Sequence, residues 1–334
     1  MELEQRKKEH LELALHSQAI LSEHDNRFDY EPLLASFADS ELKTIPFLGK
    51  SMKAPIWISS MTGGTPYARI INTNLARACN EFGLGMGLGS CRILLNEDKY
   101  FEHFDLRDII GPEYPFYANL GIIQIEKAVL QKDVSRIVAM VEKLRADGLI
   151  IHINPIQEWL QPEGEIITQA PLQTIKEFLE LSKLKIIVKE VGQGFGSASL
   201  RELLKLPLEA IEFGAYGGTN FAQVELERSL PVVKQMLKPL SLIGNTAEQM
   251  VLDINSIIEQ DSKFKVKQLI ISGGIISFID GYYLIRKSRL PAVYGQASAF
   301  LLHAREDYEQ LRDNIRFQLK GLGMAYAYLR IKSK

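Results

Sequence analysis

The chain has little with which to cross-link itself: two cysteines, Cys79 and Cys91, in 334 residues, with no metal-type spacing between them. That leaves no basis for a disulfide framework, and a reducing, cytoplasmic setting is the expectation. Charge of one sign is equally scarce. Lysine and arginine total 39 against 41 aspartates and glutamates, a formal net charge of -2, so no general attraction to nucleic acid or to an anionic membrane follows. Any phosphate binding must be local. Long apolar runs are also missing: no segment approaches the ~20 residues of a membrane span. The charged stretch from Glu2 to His10 lacks the apolar centre of a signal peptide. A soluble protein without stable membrane association is expected.

What is present is apolar content, 46% of positions, enough for a large core in a chain that is long for one ordinary domain but normal for a barrel. Residues Arg6 to Leu21 place leucines and isoleucines behind the cluster Arg6-Lys7-Lys8-Glu9-His10, which predicts a helix with a basic entrance. Ser22 to Pro46 shows no clean period and is expected to wrap the outside. We therefore divide the chain into a helical segment over 1–45 and a barrel with a C-terminal helix over 46–334.

From Pro55 a rhythm begins. PIWIS reads as a strand and Thr65-Pro66 as a helix entrance, with threonine as N-cap and proline in the first turn. Further strand-like runs lie at Gly85 to Leu88, Phe116 to Asn119, Leu149 to Ile153, Lys185 to Val191, Ala210 to Phe213, Leu240 to Gly244, Gln268 to Ser272 and Ala292 to Gly295. Amphipathic stretches such as Val134 to Leu144 and Pro171 to Leu181 separate most of them. These make nine candidate strands, one more than a (β/α)8 barrel needs. Leu240 to Gly244 is the suspected extra, because Phe213 to Ser272 is too long a gap for a simple unit.

Doubly wound folds also alternate strand and helix, so the clusters that follow the strands decide. Small or polar groups end nearly every run: MTGG at 61–64, GSCR at 89–92, ANLG at 118–121, HINP at 152–155, KEVG at 189–192, GAYGGTN at 214–220, SGGI at 272–275 and GQAS at 295–298. A site at one mouth of a TIM barrel distributes its residues in this way, whereas a Rossmann crevice concentrates them near the first turn.

SGGI and GQAS, each read as opening a helical stretch, can cradle one phosphate, because glycine admits close backbone approach and a helix N-terminus offers free N–H groups. Lys189, at the end of the apolar run IIVKEV, either points a fixed cation into the mouth or pairs with Glu190 or another acid. The polar stretch Ile151 to Glu165, IHINPIQEWLQPEGE, follows an apolar run and is broken by Asn-Pro, which puts its polar groups on the loop after a strand.

Taken in order, MTGG, GSCR, ANLG, IHINPIQE with PEGE, VKEVG, YGGTN and SGGI resemble the type 2, FMN-dependent isopentenyl-diphosphate isomerases, from the Arg6-Lys7 cluster to about Leu302. The resemblance implies a TIM barrel with FMN at its C-terminal mouth, a magnesium ion, NAD(P)H as reductant of FMN, and a homotetramer or larger assembly of the chain. The implied reaction converts isopentenyl to dimethylallyl diphosphate reversibly; protonating such an unactivated alkene demands a stronger acid than most side chains, so reduced FMN is expected as the acid/base group. It places FMN on Met61, Thr62, Gly63, Ser90, Asn119, Lys189, Gly214, Thr219, Gly273, Gly274, Ile275, Ala297 and Ser298. Substrate falls to Arg6, Lys7, His10, Ser90, Cys91, Arg92, His152 and Gln157, the last two being the protein's catalytic candidates, and magnesium to Glu158. The chain departs from the family pattern at Cys91, where glutamine is usual, at Gln193, and in the last strand, where LPAVYGQAS puts Gln296 beside the expected phosphate contacts. An FMN-dependent barrel oxidoreductase of a small hydroxy acid would use the same pocket, and a non-catalytic barrel binding a phosphorylated ligand would account for SGGI and GQAS alone.

Overall fold

A computed structural model of the chain describes residues 3–60 and 63–332. Eight parallel strands close into a barrel: β1 Ile56–Ile58, β2 Gly85–Gly87, β3 Phe116–Gly121, β4 Gly148–Ile153, β5 Ile186–Glu190, β6 Ala210–Glu212, β7 Leu269–Ser272 and β8 Ala292–Gln296. Each pairs with its successor in sequence, and β8 closes the ring on β1 through Tyr294 opposite Ile56. The expected TIM barrel is therefore the fold. The ninth candidate, Leu240 to Gly244, is no strand: helix Pro231–Ser241 runs into it, and a short apolar run does not by itself distinguish a strand from the end of a helix.

The strands read as nearly continuous apolar runs because helices cover their outer faces while the barrel fills the inner one. Helix Pro66–Phe82 starts where Thr65 Oγ1 accepts from Ala68 N at 3.1 Å and stops at Gly83, which takes φ +66°. Helices Val134–Lys143 and Pro171–Leu181 match their predicted spans within one residue.

One end of the barrel is sealed. Trp57, Tyr117, Ile150, Ile187, Ala210, Ile270 and Val293, one from each of seven strands, pack in a single interior cluster. The eighth strand contributes Gly85, where a Cβ would lie 2.6 Å from the Trp57 ring, so the indole takes that space. Beneath them a hairpin, Ile45–Phe47 paired antiparallel with Lys50–Met52, inserts Phe47, Leu48 and Met52, all buried. Leu48 N donates to Gln268 Oε1 at 2.8 Å, just before β7, so the plug lies at the N-terminal ends of the strands. The opposite mouth is left to the loops.

The first helix spans Leu3–Ala14, starting earlier and ending sooner than the predicted Arg6 to Leu21, and it buries no residue. Its apolar positions Leu11 and Leu13, with Leu15 beyond, are two apart, so they fall on different sides of a helix and form no continuous stripe. The segment after it does wrap the outside: Phe28–Tyr30 pairs antiparallel with Leu329–Ile331, and Phe28 joins the main core. The C-terminal helix spans Tyr308–Tyr328.

Phe47→Ala should open a cavity in the floor and destabilise the fold by about 3–5 kcal/mol. A urea unfolding midpoint indistinguishable from that of the unmodified chain would show that the hairpin is not part of the core.

Candidate functional site

The loops at the C-terminal mouth enclose two compartments. The first, with about 540 Å³ of empty space open in part to solvent, lies among the loops after β5, β6, β7 and β8. The second, about 480 Å³, lies among the loops after β2, β3 and β4. Ser60, Lys189, Val191 and Phe221 line both, so the two are halves of one cavity.

The second half carries the polar strand ends. Asn119, buried at the end of β3, donates through Nδ2 to Leu88 O at 2.9 Å, which turns its Oδ1 toward His152 Nδ1 at 2.8 Å. A carbonyl oxygen accepts only, so Nδ1 carries the proton and Nε2 keeps its lone pair. Loss of hydration at the partly buried ring lowers the His152 pKa to about 3, and the positive charges of Lys189 and Arg92 push the same way. The imidazole is a neutral acceptor at any physiological pH.

The stretch after β4 folds into a short helix, Pro155–Leu160, instead of the expected loop, with Asn154 at its entrance. Asn154 Nδ2 reaches Gln157 Oε1 at 3.0 Å and Glu158 Oε1 at 3.1 Å. Gln157 Nε2 donates to the buried Glu225 Oε1 at 3.3 Å, and Glu225 is held on its other side by Arg228 at 2.6 Å. Glu158 Oε2 accepts from Glu165 N at 3.2 Å. Both Glu158 oxygens thus face neutral donors. Among the described residues no cluster of three or more metal-type side chains occurs, so a cation here would draw fewer than three such ligands from them.

The first half is glycine-lined. Gly273 takes φ +90°, and a Cβ there would lie 2.1 Å from Ala215 O; Gly214 takes φ +50° with Glu190 O only 1.9 Å from its would-be Cβ. Backbone therefore forms the wall, with Gly274, Ile275, Thr219, Ala297 and Ser298 beside it. SGGI does not open a helix as expected. Helix Phe278–Lys287 begins three residues later, and its Ser277–Asp280 capping box satisfies its own entrance. GQAS does lead directly into a helix, Ser298–Ala304. Lys189 is buried at the end of β5 and donates to the Glu190 backbone oxygen at 2.9 Å. Its neighbour's carboxylate is used elsewhere, accepting from Gly192, Gln193 and Gly194 N at 2.6–2.8 Å, so Glu190 shapes the loop and is not the lysine's counter-ion.

Two kinds of comparison bear on this geometry. By fold, the chain is similar to a mandelate oxidase variant with a monooxide FMN adduct (TM-score 0.58, 12% identity, 92% of this chain and 88% of that one). It is similar also to a flavocytochrome b2 variant with sulfite bound (TM-score 0.62, 14% identity, 90% and 71%). By sequence, it is 35% identical over 286 residues to the isopentenyl-diphosphate delta-isomerase of Rickettsia prowazekii, covering 84% of this chain and 81% of that protein. The chain belongs to the isopentenyl-diphosphate delta-isomerase family. The Rickettsia typhi member is 37% identical over 243 residues, 73% of this chain and 68% of its own length. No protein-family model matches the chain.

Within that isomerase family the departures of this chain have structural counterparts. Cys91 was expected at the substrate, but its side chain is fully buried in the main apolar core, where burial pushes the thiol up to about 12. Only backbone is offered at that position. Gln193 points away from the cavity, donating to Leu240 O and Ile243 O at 3.0 Å, and so pins the end of helix Pro231–Ser241. Gln296 Nε2 donates to Ile275 O at 3.2 Å, tying the last two glycine-bearing loops together.

Not every expected residue meets the cavity. Met61 and Thr62 lie outside the described residues; Gly63 is described and lines neither half. Ser90 lines the second half, while Arg92 sits beside it, facing Glu165 at 4.0 Å. Asn119, expected at the cofactor, is on the His152 side. Arg6, Lys7 and His10 are exposed on the first helix and line neither half. Conversely, Ser60, Phe221 and Glu225 were missed. Phe221 and Glu225 are one helical turn apart on Phe221–Arg228, entered by the Asn220 N-cap, and that spacing after YGGTN was the available signal.

Because partial burial and the charges of Lys189 and Arg92 all disfavour the imidazolium, NMR should show no titration of His152 between about pH 5 and 8. A midpoint near the ordinary histidine value of about 6.5 would contradict the closed arrangement with Asn119.

Proposed function

We propose that the chain interconverts isopentenyl and dimethylallyl diphosphate by a 1,3-proton shift, as a type 2 isomerase with FMN in the glycine-lined half and Mg2+ on the diphosphate beside Glu158. The observation that carries this reading is the continuity of the two halves through Ser60, Lys189, Val191 and Phe221. It gives a planar cofactor and an anionic substrate a shared boundary. The residues fit FMN: Ser60 Oγ and Gln296 Oε1 are buried without a protein partner, and the wall at Gly273 has no room for a side chain. When bound and reduced by NAD(P)H, FMN supplies a proton carrier able to act on an unactivated alkene, which no side chain here matches.

The protein's own groups divide the remaining work. Lys189 holds a cation at the floor of the cavity, favouring negative charge in the first half. His152, kept neutral, presents Nε2 as an acceptor without adding a charge that the apolar isoprenoid end would have to bury against. Gln157, fixed by Asn154 and Glu225, orients the substrate. Glu158 fits magnesium, which takes one or two carboxylates and completes its shell with water and substrate phosphate oxygens. Arg92 is placed to meet the diphosphate by exchanging Glu165 for it. Arg6, Lys7 and His10 act as a lid over the diphosphate, brought in by movement of the first helix, which is not packed against the barrel. The working form is a cytoplasmic homo-oligomer, a tetramer or larger.

Purified chain with FMN, Mg2+ and dithionite, given isopentenyl diphosphate, should yield dimethylallyl diphosphate, and with NAD(P)H in place of dithionite the reductant should be consumed only to charge the flavin. No conversion with reduced flavin bound, or one NAD(P)H spent per turnover as in an oxidoreductase, would overturn the reading. A chain lacking residues 1–12 should show KM raised by about tenfold or more with FMN affinity retained, the loss expected for a charge-assisted contact. Unchanged KM would remove the lid.

A further inference from the structure

Below the cavity floor the barrel encloses a polar group that the proposed reaction does not use. Glu212, the last residue of β6, has 0% exposure, and among the described residues neither of its carboxyl oxygens finds a partner in hydrogen-bonding geometry. Trp57 Nε1 and Ser59 Oγ are buried and unpartnered too, and Ser272 Oγ accepts from Gly214 N at 3.0 Å with its own hydrogen uncommitted. Trp57 and Ser59 from the β1 side and Ser272 of β7 are the neutral donors turned on the carboxyl group. Lys189, its register partner on β5, is the charged group facing it. That ammonium does not form an ion pair with Glu212; its hydrogen bond goes to Glu190 O.

An ionised carboxylate at this place would be a buried charge without an ion pair among the described residues, with only neutral donors turned on it and none of them in hydrogen-bonding geometry. Burial drives the carboxyl pKa up, and the attraction of Lys189 and the donors of Ser59, Trp57 and Ser272 oppose it only in part. Ser59 and Ser272 also line the first half of the cavity, so Glu212 is one hydroxyl away from whatever binds there.

We infer that Glu212 is held as a neutral carboxylic acid and serves as a positioning residue, closing a hydroxyl network with Ser59 and Ser272 under the cavity and leaving the charge of Lys189 uncompensated toward the bound ligand. Deprotonated, the same residue would cancel the cation that the cavity presents. The inference rests on the barrel interior alone and does not depend on which ligand the cavity takes.

Linkage gives the test a sign. A glutamic acid whose proton is held more tightly in the folded than in the unfolded chain loses stability as pH rises above its unfolded value, whereas glutamine does not. Thermal unfolding of the full chain and of Glu212→Gln between about pH 5 and 8 should show a Tm advantage for the variant that grows with pH. A variant less stable at the upper end, as an ionised counter-ion to Lys189 requires, or a difference independent of pH, as a purely structural contact requires, overturns the inference. Infrared spectra of the wild type labelled with 13C at its glutamate carboxyls keep the test open should that variant not fold. They should show a protonated glutamic acid band at pH 7 that Glu212→Asp, with its unlabelled carboxyl, lacks. Absence of that band in the wild type overturns the inference whatever the variants do.

Discussion

The structure depends on closure of the eight-stranded ladder and the sealing of one of its ends. With β8 paired to β1 there is no sheet edge, and with Trp57 lying across Gly85 above the Phe47 hairpin there is no open pore. Every strand then delivers its last residues to the same mouth on a rigid base. Asn119, His152, Lys189 and Glu212 are neighbours because β3, β4, β5 and β6 are in register, with Gly121 opposite His152, His152 opposite Lys189, and Lys189 opposite Glu212. Functional placement here is a consequence of hydrogen-bond register.

That register concentrates polar groups where little water remains, and the outcome is a division of charge. Lys189 carries the fixed positive charge on the floor, while His152 remains neutral because its ring is partly desolvated beside Lys189 and Arg92 and its Nδ1 proton is engaged by Asn119. Glu190 turns its carboxylate outward to fasten the loop at 192–194. Neutral Glu212 completes the pattern. Among the described residues Lys189 is the cation on the cavity floor, and of the carboxyl groups beside it Glu190 is committed to backbone N–H groups and Glu212 is uncharged.

Much of this was legible in the sequence because barrel strands buried on both faces leave long apolar signatures, and because a site at one mouth writes a small or polar cluster after each of them. The eight strands followed from that, as did the family through its ordered motifs, while the surplus of Leu240 to Gly244 followed from the long gap between Phe213 and Ser272. Other features were not legible for physical reasons. Cys91 lies in a loop, where no periodicity reports whether a side chain turns inward to the core. The first helix ends at Ala14, before Leu15, Ile20 and Leu21, and buries no residue, so apolar composition alone overstated its reach. Ser60 and Phe221 gain importance only because two loops distant in sequence meet there, and Glu225 only because helix Phe221–Arg228 leans on Pro155–Leu160. The capping box of Ser277 and Asp280, which closes a helix entrance the glycines of SGGI had suggested as open, was present in the sequence and is a local signal of the ordinary kind.

The central claim is that cofactor and substrate occupy two halves of one cavity. It is tested most directly by adding isopentenyl diphosphate with Mg2+ to the chain loaded with reduced FMN and following the flavin absorbance alongside calorimetric binding. A shared boundary at Ser60, Lys189 and Phe221 predicts that the flavin spectrum shifts with the same saturation curve as the heat of binding. Saturable diphosphate binding that leaves the flavin spectrum unchanged would contradict it.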